Sequence, residues 1–75
     1  MCMILFLGPA CPRCVELKQR VDLDTVPVLT VVHTDGPDGL AEADMYDVFS
    51  VPALVLDDGS HVTDLEAIVA QLTTA

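Results

Sequence analysis

The chain has 75 residues, enough for a single small domain over 1–75, and 52% of them are hydrophobic, which excludes an intrinsically disordered segment. Its 12 acidic and 3 basic residues give a net charge of −9. That balance argues against nucleic acid and anionic membrane surfaces as partners, because both need Lys and Arg to neutralise phosphate. Met1 to Leu7 is apolar but too short for a signal-peptide core or a membrane span. The expected location is therefore the cytoplasm, where thiols are kept reduced.

Cys2 to Leu7 is a short unbroken apolar run, the pattern of a strand buried on both faces. Gly8-Pro9-Ala10 ends it. Pro12 suits the first position of a helix, where its missing N–H would have had no partner. Val15, Leu17, Lys18 and Val21 continue this helix to about Val21, with Lys18 and Arg20 in the last turn, where the helix dipole favours cations. Val28 to His33 is β-branched and apolar, a second buried strand. Asp35-Gly36-Pro37-Asp38-Gly39 reads as a loop. Ala41, Met45, Val48 and Phe49 then fall on one face of a second helix, and Met3 and Met45 are expected in the core. Ala53 to Leu56 is a third strand, Asp57-Asp58-Gly59-Ser60 a hairpin turn, and His61-Val62 a short fourth strand. Thr63-Asp64-Leu65-Glu66 fits a capping box, with the Thr63 hydroxyl accepting from the Glu66 amide and the Glu66 carboxylate accepting from the Thr63 amide. Leu65, Ile68, Val69 and Leu72 form the apolar face of the closing helix. The order βαβαββα predicts an α/β domain with two parallel strands, a right-handed crossover and an antiparallel hairpin.

Cys11-Pro12-Arg13-Cys14 lies between the first strand and a helix start. A helix N-terminus offers unpaired N–H groups and about half a positive charge, so a thiolate at Cys11 is favoured there, and Arg13 adds a fixed cation. Cys14 is close enough to reach the Cys11 sulfur. These features point to thiol-disulfide exchange, with Cys11 attacking a substrate disulfide and Cys14 resolving the mixed disulfide. Tetrahedral zinc is the competing chemistry. It needs four ligands, and beyond this pair only Cys2, His33 and His61 remain, neither histidine in a second ligand-pair pattern. Cys2 reads as a small core hydrophobe and the two histidines as surface groups, so no metal and no cofactor are expected.

Phe6-Leu7-Gly8-Pro9-Ala10-Cys11-Pro12-Arg13-Cys14 resembles the active-site segment of glutaredoxins, and Tyr46 to Leu56, with Val51-Pro52 before the third strand, resembles the thioredoxin segment that carries a cis-proline. Asp58-Gly59 and the closing helix resemble the C-terminal end of that family's domain. Over nearly its whole length the chain is thus similar to the thioredoxin superfamily. The resemblance implies a thioredoxin fold, with a four-stranded mixed sheet flanked by three helices, and a thiol-disulfide oxidoreductase working through Cys11 and Cys14. It implies that Val51 offers its backbone to the substrate in a β-like pairing and that Pro52, in cis, faces the cysteines, with Pro12 and Arg13 in support. Two features depart from the glutaredoxin pattern. Gly8 stands where a lysine holds a glutathione carboxylate, and Val62-Thr63-Asp64 replaces a Gly-Gly pair and a following acid. Thr63 and Asp64 therefore stand as substrate-binding candidates, while glutathione is not expected as the electron source. The implied partners are a disulfide-bearing protein, ribonucleotide reductase being one candidate, and a flavin-dependent thioredoxin reductase. The alternative is a non-enzymatic module of the same fold that binds a metal or a partner protein.

Overall fold

A computed structural model describes residues 3–74. The first apolar run forms β1 (Met3–Leu7); Cys2, expected on this strand, lies outside the described residues. The chain continues through α1 (Pro12–Arg20), a single 3-10 turn (Leu23–Thr25), β2 (Leu29–His33), α2 (Pro37–Met45), β3 (Ala53–Val55), β4 (His61–Val62) and α3 (Leu65–Thr73). The four strands form one mixed sheet in the order β2-β1-β3-β4. β1 runs parallel to β2, with Leu5 opposite Val31, and antiparallel to β3, with Leu5 opposite Leu54; β3 and β4 are antiparallel, with Leu54 opposite Val62. The expected α/β order βαβαββα is what the chain adopts.

Alternation along β1 divides the core. Leu5 and Leu7 join Leu54 on one face, packed with Leu17 of α1 and Ile68 and Leu72 of α3. Phe6 points the other way, to Ala53, Val55, Ala43 of α2 and Val48. Only the central strands lose nearly all contact with water. The β-branched run of β2 predicts a strand buried on both faces, but β2 is an edge strand, with Thr30 exposed and Val31 and Val32 half-buried. No helix among the described residues is long and apolar enough to cross a membrane.

Three local expectations are corrected. First, α2 starts inside the expected loop, because Pro37 takes its first turn and Gly39 is buried against the end of β2. Second, α2 ends before its expected apolar face is complete. Asp47 adopts φ +57, the Val48 amide donates to the Ala43 carbonyl at 2.8 Å, and the Asp47 amide donates to that of Asp44 at 3.1 Å. This is a Schellman stop, which turns Val48 inward and leaves Phe49 85% and Met45 79% exposed rather than in the core. Third, α3 is capped by Asp64 and not Thr63. The Asp64 carboxylate accepts from the Ala67 amide at 3.0 Å, a charge-assisted bond stronger than a threonine hydroxyl can make. Glu66 turns instead to α1, where Arg20 Nη2 donates to its Oε1 at 3.0 Å. That hydrogen bond, and then the charge of Arg20, hold the exposed Glu66 carboxyl below its ordinary range.

Val28 introduces a strained corner. It has φ +53, although it is β-branched, and its side chain is 57% exposed. The left-handed region costs an L-residue about 1–2 kcal/mol, whereas Asn tolerates it. The Val28 carbonyl accepts from the Met3 amide at 3.0 Å, and Asn keeps that bond. Val28→Asn is therefore expected to stabilise the domain by about 1 kcal/mol, raising the melting temperature by about 4–8 °C. A lower melting temperature in a thermal scan would refute the strain.

Candidate active site

The site is assembled where β1 delivers the chain to α1. The Leu7 carbonyl at the end of β1 is held by the Thr34 amide at 2.8 Å and the Thr34 hydroxyl at 3.2 Å. Ala10, at φ +50, turns the backbone so that Cys11 becomes the N-cap of α1 and Pro12 enters its first turn. The Cys11 sulfur accepts a hydrogen bond from the Cys14 amide at 3.1 Å, the place a capping oxygen usually fills. Cys11 and Cys14 are joined as a disulfide, with Cα atoms 5.2 Å apart. Their burial differs: Cys11 is half-exposed, whereas Cys14 is 3% exposed, at the edge of the Leu5–Leu17 core. An incoming group can therefore reach Cys11 but not Cys14.

The second wall comes from the loop before β3. The Val51-Pro52 peptide is cis, as the resemblance implies, and Pro52 is buried. The Val51 carbonyl oxygen lies 3.7 Å from the Cys11 sulfur. Pro9, Ala10, Cys11, Pro12, Arg13 and Val51 enclose an open groove of about 390 Å³, with Arg13 as its one cation. Thus Cys11, Pro12, Arg13 and Val51 meet at one place. Thr63 and Asp64 do not wall this groove; they lie between β4 and α3, where the Asp64 carboxylate caps the helix. His33 and His61 sit on β2 and β4, the two opposite edges of the sheet, and no group of three or more potential metal ligands forms among the described residues.

Gly8 plays a part that its sequence position does not reveal. A Cβ on Gly8 would stand 2.8 Å from Val51 Cγ2 and 3.1 Å from Thr34 Oγ1. The stiff Val51 side chain occupies the space, so any residue other than glycine makes the Val51 side chain shift beside Cys11. Gly8→Lys is therefore not expected to create a glutathione site. It should instead destabilise the protein by about 1–3 kcal/mol, as overpacking does. Urea unfolding together with a glutathione-dependent reduction assay checks both halves; a stable variant with new glutathione activity would contradict the assignment.

The fold is matched by solved structures. Thioredoxin-like protein BC3987 aligns with a TM-score of 0.65 over 93% of this chain and 97% of that one, at 23% identity. A point mutant of that protein aligns equally well over 95% of this chain. A glutathione transferase homolog from Sulfitobacter, with bound glutathione, aligns with a TM-score of 0.61 and 22% identity over 97% of this chain and 36% of that one. No protein-family model and no curated protein sequence matches. The chain has the thioredoxin-like fold. Within that fold it carries a Cys-Pro-Arg-Cys disulfide at the α1 N-terminus opposite a cis Val51-Pro52, an arrangement that fits a redox role.

Proposed function

We propose that the protein is a thiol-disulfide oxidoreductase that reduces protein disulfides with Cys11 and Cys14. The observation that carries this reading is a half-exposed sulfur at a helix N-cap, bonded to a buried partner and facing an open groove. In the dithiol state the Cys14 amide and the positive end of α1 favour the Cys11 thiolate. The thiolate attacks one sulfur of the substrate disulfide. The Cys11–substrate bond forms as the substrate S–S bond breaks, and the released substrate thiolate takes up a proton. Cys14, once deprotonated, attacks the Cys11 sulfur. The Cys11–Cys14 bond forms, and the second substrate cysteine leaves as a thiolate. Two electrons pass to the substrate, and the pair ends as a disulfide. Val51 lines the groove, and in this reading its backbone pairs with an extended substrate chain while Pro52 contributes no competing N–H.

Regeneration needs a two-electron donor. A flavin-dependent thioredoxin reductase fits better than glutathione, because Gly8 supplies no cation and cannot be replaced without moving Val51. Insulin reduction with NADPH is expected to turn over with thioredoxin reductase and poorly with glutathione plus glutathione reductase. Efficient turnover with the glutathione system would overturn the donor assignment. Insulin reduction by dithiothreitol that the protein does not accelerate would overturn the oxidoreductase reading.

A further inference from the structure

We infer that the substrates favoured by this site carry an aliphatic residue close to the disulfide and Lys or Arg around it, because a second cavity beside the groove takes the aliphatic side chain and the segments that build it carry acids and no Lys or Arg. The inference rests on the oxidoreductase reading above. The second cavity holds about 180 Å³. Its floor is Ala43 and Val48, both buried, and its sides include Leu40 and Phe49, which are 59% and 85% exposed. Val51 lines this cavity and the Cys11 groove alike, so the two adjoin at one residue. Small-molecule sites usually enclose about 300–1,000 Å³, so a space this small suits one side chain of a longer ligand. A chain paired with Val51 would set alternate side chains into such a space, as strand-like recognition does.

Charge defines the rest of the ligand. From Thr34 to Ser50 the sequence carries Asp35, Asp38, Glu42, Asp44 and Asp47 and no Lys or Arg. Asp35, Glu42, Asp44 and Asp47 each adjoin in sequence a residue of the cavity wall. Among the described residues every ion pair involves Arg20, and none includes one of these acids. An apolar socket built from segments that carry these acids and no Lys or Arg selects a cationic chain with an aliphatic anchor, and the charge acts mainly on the rate of encounter.

Two synthetic peptides test this. They share one disulfide and a leucine near one cysteine, and differ only in Lys or Glu at the outer positions. Each is reduced by the dithiol form of the full chain, and each rate is divided by that with dithiothreitol to remove intrinsic reactivity. The Lys peptide is expected to react faster by about tenfold or more at low salt, with the gap closing at high salt. Leu→Ser in that peptide, or Leu40→Ser with Phe49→Ser in the protein, should slow it several-fold. Both protein positions are exposed, so these substitutions leave the fold intact. Asp35→Asn with Asp44→Asn should narrow the gap more than Asp24→Asn with Asp57→Asn, which removes the same charge away from both cavities. Equal rates for the two peptides, indifference to the leucine, or equal effects of the two charge pairs would each overturn the inference. Reduction of neither peptide would overturn the oxidoreductase reading itself.

Discussion

Cys14→Ser is expected to stop the reaction halfway, leaving the protein covalently joined to its substrate through Cys11, while Cys11→Ser should abolish disulfide reduction down to the uncatalysed background. The two cysteines differ in position and therefore in role. Cys11 is half-exposed at the N-cap of α1, its sulfur already accepting the Cys14 amide, whereas Cys14 is buried within the first turn. Thiolate character and access both favour Cys11 as the attacking group. Cys14 needs only to reach the Cys11 sulfur, across 5.2 Å between Cα atoms, once the mixed disulfide exists. Without Cys14 the mixed disulfide loses the thiol of its own Cys-Pro-Arg-Cys segment that would resolve it, and it persists. Without Cys11 the other thiol of the pair, Cys14, is covered. Non-reducing mass spectrometry after mixing each reduced variant with a protein disulfide reads the outcome. In the reduced wild type, iodoacetamide should modify Cys11 before Cys14 at neutral pH. A stable adduct on Cys14 in the Cys11→Ser variant, or faster alkylation of Cys14, would reverse the roles.

Gly39→Ala is expected to cost about 3 kcal/mol or more, out of the roughly 5–15 kcal/mol that holds a typical domain together. A Cβ at Gly39 would stand 1.8 Å from the His33 carbonyl oxygen, 2.7 Å from its carbon and 3.1 Å from Thr34 Cα. These are backbone atoms at the end of β2, so no rotamer change relieves the clash. Either α2 lifts from the sheet, opening the cluster of Phe6, Ala43 and Val48, or β2 shifts along β1. The same movement would displace Thr34, which holds the end of β1 just before the loop that carries Cys11. Urea unfolding should show a midpoint far below that of the wild type. A midpoint unchanged within error would mean that α2 and β2 do not make this close approach.

Features set by local chemistry are legible from residue type and spacing. The buried run to Leu7, the Cys-Pro-Arg-Cys segment at a helix start, and the face of Ile68 and Leu72 each depend on neighbours a few residues away. The site's second wall is legible through the resemblance of Val51-Pro52, not through periodicity, because the groove joins segments far apart in the chain. Features set by close approach are hidden. Gly39 has the sequence context of a loop, yet it is the contact that brings α2 onto β2. Phe49 sits at a helical spacing from Met45, but the left-handed Asp47 ends the helix between them and turns both outward. Thr63 and Asp64 are both good caps, and the choice between them depends on where the helix begins. Gly8 reads as a missing lysine, whereas its space belongs to Val51.

If Cys11 and Cys14 together deliver two electrons to a protein disulfide, a single-turnover titration reads that transfer without any coupled step. The fully reduced chain is mixed with insulin without any other reductant, the reaction is quenched in acid, and the disulfides of both proteins are counted by mass spectrometry. One Cys11–Cys14 disulfide should appear for every insulin disulfide lost, with both processes sharing one rate. A Cys11–Cys14 pair that stays reduced while insulin remains intact, or insulin reduction that leaves the pair unoxidised, would contradict it.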